Sequence, residues 1–146
     1  IKQYPVLAFV ENVAAYNEFP FQIEIRRQLP GAFMGMISAG VAEADEQAAE
    51  VIWQISQTVG TNDPGILLSR GVYLLNFDRT PEIIDIADKL IRIAPHTVEA
   101  WVMSGYAGLL TGNAERVRQA IETARKMDRT DEPAVQRLIA ESEELK

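Results

Sequence analysis

Apolar residues recur along this chain with a step of 34. Phe33, Leu67 and Trp101 are related by it (67 − 33 and 101 − 67), as are Ala49, Ile83 and Val117. So are Trp53, Ala87 and Ile121; Ser56, Leu90 and Ala124; and Val59, Ile93 and Met127. Gly71 and Gly105 share the interval. Self-similarity at such a period marks a chain built from one supersecondary unit used several times. A single unit of that size cannot bury its own apolar face, so the copies must pack on one another and the ends need covers.

The repeated piece reads as helical. Ile83, Ile86, Ala87, Leu90 and Ile93 fall on one face of a 3.6-residue period, and Val117, Ala120, Ile121, Ala124 and Met127 repeat the pattern. Alternating runs are scarce, and Phe21–Arg26 is the one strand candidate. Asp63-Pro64 and Thr80-Pro81 read as N-caps followed by a proline whose missing amide does no harm in a first turn. Thr97 and Asn113 are expected to cap two further helices, and Pro95 to end one just after Ile93.

Helix–turn–helix units of 34 residues resemble the tetratricopeptide repeat. The third unit carries the resemblance best, with Trp101 at the fourth position, Gly105 at the eighth, Ala107 at the tenth and Gly112 in the turn. Ile121 and Ala124 follow in its second helix, Ala49, Trp53 and Ser56 hold the matching places in the first unit, and Gly71 and Pro95 in the second. The departures are Ile37 at an eighth position, no tyrosine at the eleventh, and Arg129 in place of the last proline. The similarity covers Pro30 to Asp131. It implies a single all-α domain, a right-handed stack of three helical hairpins at 30–63, 64–97 and 98–131. Residues 1–29 would add an N-terminal helical segment, with one helix opened by Pro5 and a short second piece over Phe21–Leu29. Residues 132–146, with Ala134, Val135, Leu138, Ile139 and Leu145 on one side, would form a capping helix.

Composition narrows the chemistry. The 146 residues carry 21 acidic and 14 basic side chains, a net charge of −7, which argues against a nucleic-acid binder. With no cysteine and only His96, disulfides, thiolate metal sites, thiol catalysis and multi-histidine sites are excluded. The longest uncharged runs, Gln28–Ala42 and Ala100–Ala114, fall short of the roughly 20 residues a spanning helix needs. The first residue is isoleucine, which reads as a processed product or a piece of a longer chain.

The acidic group Glu43, Asp45, Glu46 and Glu50 lacks the spacing and glycine of a calcium loop and fits a helix start. His96 sits in a loop with no serine or carboxylate placed to act with it, and no nucleophile elbow, P-loop or dinucleotide fingerprint occurs. The expectation is therefore a protein that is not an enzyme and takes neither cofactor nor metal. Trp53, Trp101 and Tyr73 read as packing residues.

The resemblance implies a concave groove lined by the first helix of each hairpin. Carried over, its positions are mainly apolar, and Met34, Leu68, Val72, Val102, Tyr106 and Leu109 are the residues expected to touch a partner. Asn76 alone is of the kind used to clamp a C-terminal carboxylate. An apolar strip of that kind calls for a cover. A partner's helix or extended segment would serve, and so would the chain's own N-terminal arm with Val6, Leu7, Phe9, Val10, Tyr16, Phe19 and Phe21. The implied function is non-catalytic protein–protein binding, as a scaffold or adaptor. Two other readings stay open: the soluble C-terminal repeat domain of a bacterial O-antigen or oligosaccharide polymerase or ligase, on the periplasmic side, and a cytoplasmic secretion chaperone.

Overall fold

The computed structural model describes residues 5–18, 23–40, 46–57, 62–75 and 79–144, with backbone alone at 5–8, 23 and 38. Every regular element among them is an α-helix, and within each unit described below neighbouring helices pack on one another, as the 34-residue pattern requires. No helix among the described residues is long and apolar enough to cross a membrane. The chain divides into two compact units, Ile1–Tyr73 and Leu74–Lys146.

The N-terminal unit holds α1 (Pro5–Glu18), α2 (Ile23–Ser38), α3 (Glu46–Gln57) and α4 (Pro64–Leu74, all but its last residue). α1 lies along α2, and α2 along α3. Phe33 sits at the centre of this packing, its ring 5.9 Å from that of Phe9 on α1 and 6.3 Å from that of Tyr73 on α4. Leu29, Ala49, Ile52, Ile66 and Leu67 are buried as well. The start of α4 follows expectation: the Asp63 carboxylate accepts the Ile66 amide at 3.1 Å and pairs with Arg27 at 2.8 Å.

Two expectations about this unit are corrected. Ile23–Arg26, read as part of a possible strand, belongs to α2. Pro30, taken as the first residue of a hairpin, lies inside the same helix, so the segment 21–29 is no separate piece where it is described. Proline in a helix interior removes one amide donor and crowds the preceding turn. α2 tolerates it because the ring is buried and the Ser56 hydroxyl of α3 lies 3.2 Å from the Arg26 carbonyl, the group an amide at position 30 would have reached.

The C-terminal unit holds α5 (Thr80–Ile93), α6 (Val98–Thr111), α7 (Ala114–Lys126) and α8 (Pro133–Glu143). α6 is its axis, packed against α5, α7 and α8. Glycine makes that crowding possible. A Cβ on Gly108 would stand 2.9 Å from a Val117 methyl and 3.0 Å from the Asn113 carbonyl oxygen. α6 then stops at Gly112, whose φ of 66° closes the helix while the Asn113 amide reaches back to the Gly108 carbonyl at 2.8 Å. The Asn113 side chain caps α7 by accepting the Arg116 amide at 3.1 Å. Thr97 stands at the N-cap place of α6, but its hydroxyl donates to the Ala94 carbonyl at 2.8 Å instead of accepting an α6 amide. Thr80 is already helical, with Arg79 at the cap place and its guanidinium on Glu82 at 2.6 and 2.8 Å.

α8 covers α6 and α7, burying Val135 and Leu138. Val135 joins Val98 and Ala124, while Leu138 joins Val117 and Ala120. A single guanidinium ties the other three helices together: Arg116 of α7 reaches Asp88 of α5 at 2.9 Å and the buried Ser104 hydroxyl of α6 at 3.1 Å.

Candidate functional site

On α4, Leu68 and Val72 lie one turn apart on the same face. Leu68 is half-buried, and Val72 is 41% exposed, a large value for valine on a helix with so little polar character. α6 carries a second pair one turn apart, Tyr106, half-buried, and Leu110, 51% exposed. Val72 and Tyr106 are 34 apart, so Leu68 and Val72 correspond to Val102 and Tyr106, and the exposed Leu110 stands one turn further on, at the place of Asn76.

The other expected contact residues, Met34, Val102 and Leu109, are half-buried like Leu68 and Tyr106. Val102 packs against Val98, Ala124 and Val135, and Leu109 against Val117, Ala120 and Leu138, so both contribute to the core around α7 and α8. Met34 borders a cavity of about 20 Å³ shared with Trp53, Arg70 and Tyr73, room for about one water. Asn76 lies outside the described residues, as do Glu43, Asp45, Phe19 and Phe21 and the side chains of Val6 and Leu7. Leu110, a groove position in the repeat register though not one of the six expected contacts, is the most exposed large apolar residue of α6.

The cavity wall holds a buried cation. The Arg70 side chain is 4% exposed, 2.9 Å from the Glu50 carboxylate and 5.1 Å above the Trp53 ring. The acidic start of α3 therefore serves partly as the counter-ion to an arginine from α4. Nothing in the 20-residue separation of the pair announces it.

On the C-terminal unit, the Tyr106 phenol is held above its ordinary value of 10.0 by burial first and by the Glu141 carboxylate second, with Arg137 opposing. Both charged groups come from α8, which places Tyr106 at the edge of the α6–α8 contact. Trp101 is half-buried, and its indole N–H donates to the Pro95 carbonyl at 2.9 Å. His96 is exposed in the α5–α6 loop. Among the described residues no three His, Asp or Glu side chains are grouped to hold a metal ion.

No family model matches this chain, and no curated protein or solved structure matches it either.

Proposed function

We propose that the chain is a non-catalytic binding module of the tetratricopeptide kind, which takes up the apolar face of a partner protein's helix or extended segment. The single observation that carries the reading is that each of two helices presents a half-buried apolar residue one turn before an exposed one, Leu68 with Val72 on α4 and Tyr106 with Leu110 on α6. Apolar groups one turn apart on a helix are the anchors that a helix or an alternating strand can engage. Fully burying one such side chain gives about 1.5–3 kcal/mol, so covering the half still in water gives about 1 kcal/mol each. Micromolar affinity needs about 8 kcal/mol beyond the cost of association, so a partner must touch several of these residues at once. Met34, Val102 and Leu109, half-buried on neighbouring positions, are further candidate contacts.

The test is capture of a binding partner by immobilised full-length chain, followed by Leu68→Glu and Leu110→Glu. Each variant should lose the partner while keeping its circular dichroism and melting temperature. Unchanged capture by both would overturn the reading.

A further inference from the structure

The apolar strip of α6 ends beside an acidic turn of α8. Val135 packs with Val98 at the start of α6, and Leu138 lies against Gly105 further along, so the two helices run in the same direction. Arg137 and Glu141, one turn apart on α8, both act on the Tyr106 phenol. Leu110 stands one turn beyond Tyr106, at the end of the pair where α8 also finishes. The repeat gives it the same neighbourhood: shifted forward by 34, Leu110 becomes Glu144 (144 − 110). Glu141 and Glu144 are both exposed, and with Arg137 they fall on one stripe of α8.

Charge then selects what can lie there. Neither α6 nor α8 has a basic residue in its last turn. Neither Glu141 nor Glu144 takes part in an ion pair among the described residues. Two helices running the same way bring their negative ends together, and the carboxylates add to that field instead of opposing it. Arg137, one cation against two carboxylates, stands a turn nearer the positive end of α8. A segment that covers Leu110 therefore meets this negative charge at the same time. An acidic segment, or an anionic lipid or nucleic-acid surface, is repelled, and a neutral one leaves the carboxylates partly desolvated and unpaired. Lysine or arginine beside the apolar anchor is attracted.

We propose that the partner segment taken up on α6 is cationic: its apolar anchors engage Tyr106 and Leu110, and a lysine or arginine beside them meets Glu141 and Glu144. This rests on the strip being a protein-binding surface, and adds to that reading the sign of the charge its partner carries.

Two synthetic peptides test it, with binding to the full chain read by fluorescence anisotropy at low salt. Both carry leucine at i, i+4, i+7 and i+11, one with lysine between the leucines and the other with glutamate. The lysine peptide should bind at least about tenfold more tightly, and lose that advantage at about 1 M salt. Glu141→Lys with Glu144→Lys should weaken it about tenfold, whereas the same change of charge on α7, Glu115→Lys with Glu122→Lys, should shift it less than about twofold. Leu110→Ser should weaken the lysine peptide as well, and circular dichroism verifies that every variant remains folded. Equal affinities for the two peptides, indifference to the Glu141 and Glu144 reversals, or an equal response to the α7 pair would overturn the cationic partner, and the strip would survive if Leu110→Ser still weakens binding. If Leu110→Ser changes nothing, or neither peptide binds, the strip reading and this proposal fall together.

Discussion

The Ser56 hydroxyl lies 3.2 Å from the carbonyl oxygen of Arg26, the acceptor that Pro30 has no amide to reach. The same hydroxyl is 2.7 Å from the Ile52 carbonyl of its own helix, so its one proton serves two acceptors on two helices. Ser56 is fully buried, which makes the alternative to these bonds expensive. Ser56→Ala should lower stability by about 1 kcal/mol, and by less in a Pro30→Ala background, where an amide is restored to the Arg26 carbonyl. Urea unfolding of the two single variants and the double variant measures the coupling; strict additivity would show that the proline and the serine act independently.

Leu138 fills the space that a side chain on Gly105 would need. A Cβ there would collide with one Leu138 methyl and stand 3.0 Å from the other and 3.1 Å from the Ala120 Cβ. Gly105→Ala should therefore destabilise the C-terminal unit by about 1–2 kcal/mol, although alanine is the better helix former. With Leu138→Ala already in place the clash largely disappears, and the same substitution should become neutral or stabilising. Thermal unfolding of the four proteins separates the steric effect from helix propensity.

Arg70 joins a buried guanidinium to Glu50 and to the Trp53 ring. Arg70→Ala removes the pair, the stacking and the packing of the long stem together, at a cost of about 2–4 kcal/mol. Arg70→Met keeps most of the volume and leaves the partly exposed Glu50 able to hydrate, so it should cost less than half as much. Equal losses for the two variants, read by denaturant midpoint, would mean the charge rather than the packing is what the site requires.

Tyr106 keeps its proton to higher pH in the folded chain than an unfolded tyrosine does. Its contribution to stability is thus fully present below pH 10.0 and declines as pH rises through the folded value. Alkaline absorbance titration should show a late-ionising tyrosine that is absent in Tyr106→Phe. Burial is the larger cause, so Glu141→Gln should bring the value only part of the way down, and Arg137→Ala should raise it further.

The helices were legible where local chemistry and the 34-residue period agreed. Asp63 and Asn113 cap as their sequence positions suggest, and Val117, Ala120 and Ala124 bury the face their spacing marks. Pro30 misleads because a proline reads locally as a helix start, while the serine and packing that admit it inside α2 lie 26 residues further on (56 − 30). The exposure of the candidate strip was legible in part. Register put Val102, Tyr106, Leu109 and Leu110 on one strip of α6. Val102 and Leu109 are half-buried against the residues that α7 and α8 pack on, and Leu110 is the exposed one, a gradation that depends on those neighbouring helices and not on the period. The Arg70–Glu50 pair has no periodic signature, since an ion pair depends on where two side chains end and not on which helical face they begin from.

The link from Arg116 to both Asp88 and Ser104 has a mechanical consequence. α7 cannot slide along α6 or peel from α5 without the guanidinium releasing two oxygens in the same event. Under a stretching force these three helices should therefore yield together, in one abrupt extension, and Arg116→Ala should turn that single jump into smaller, separate ones.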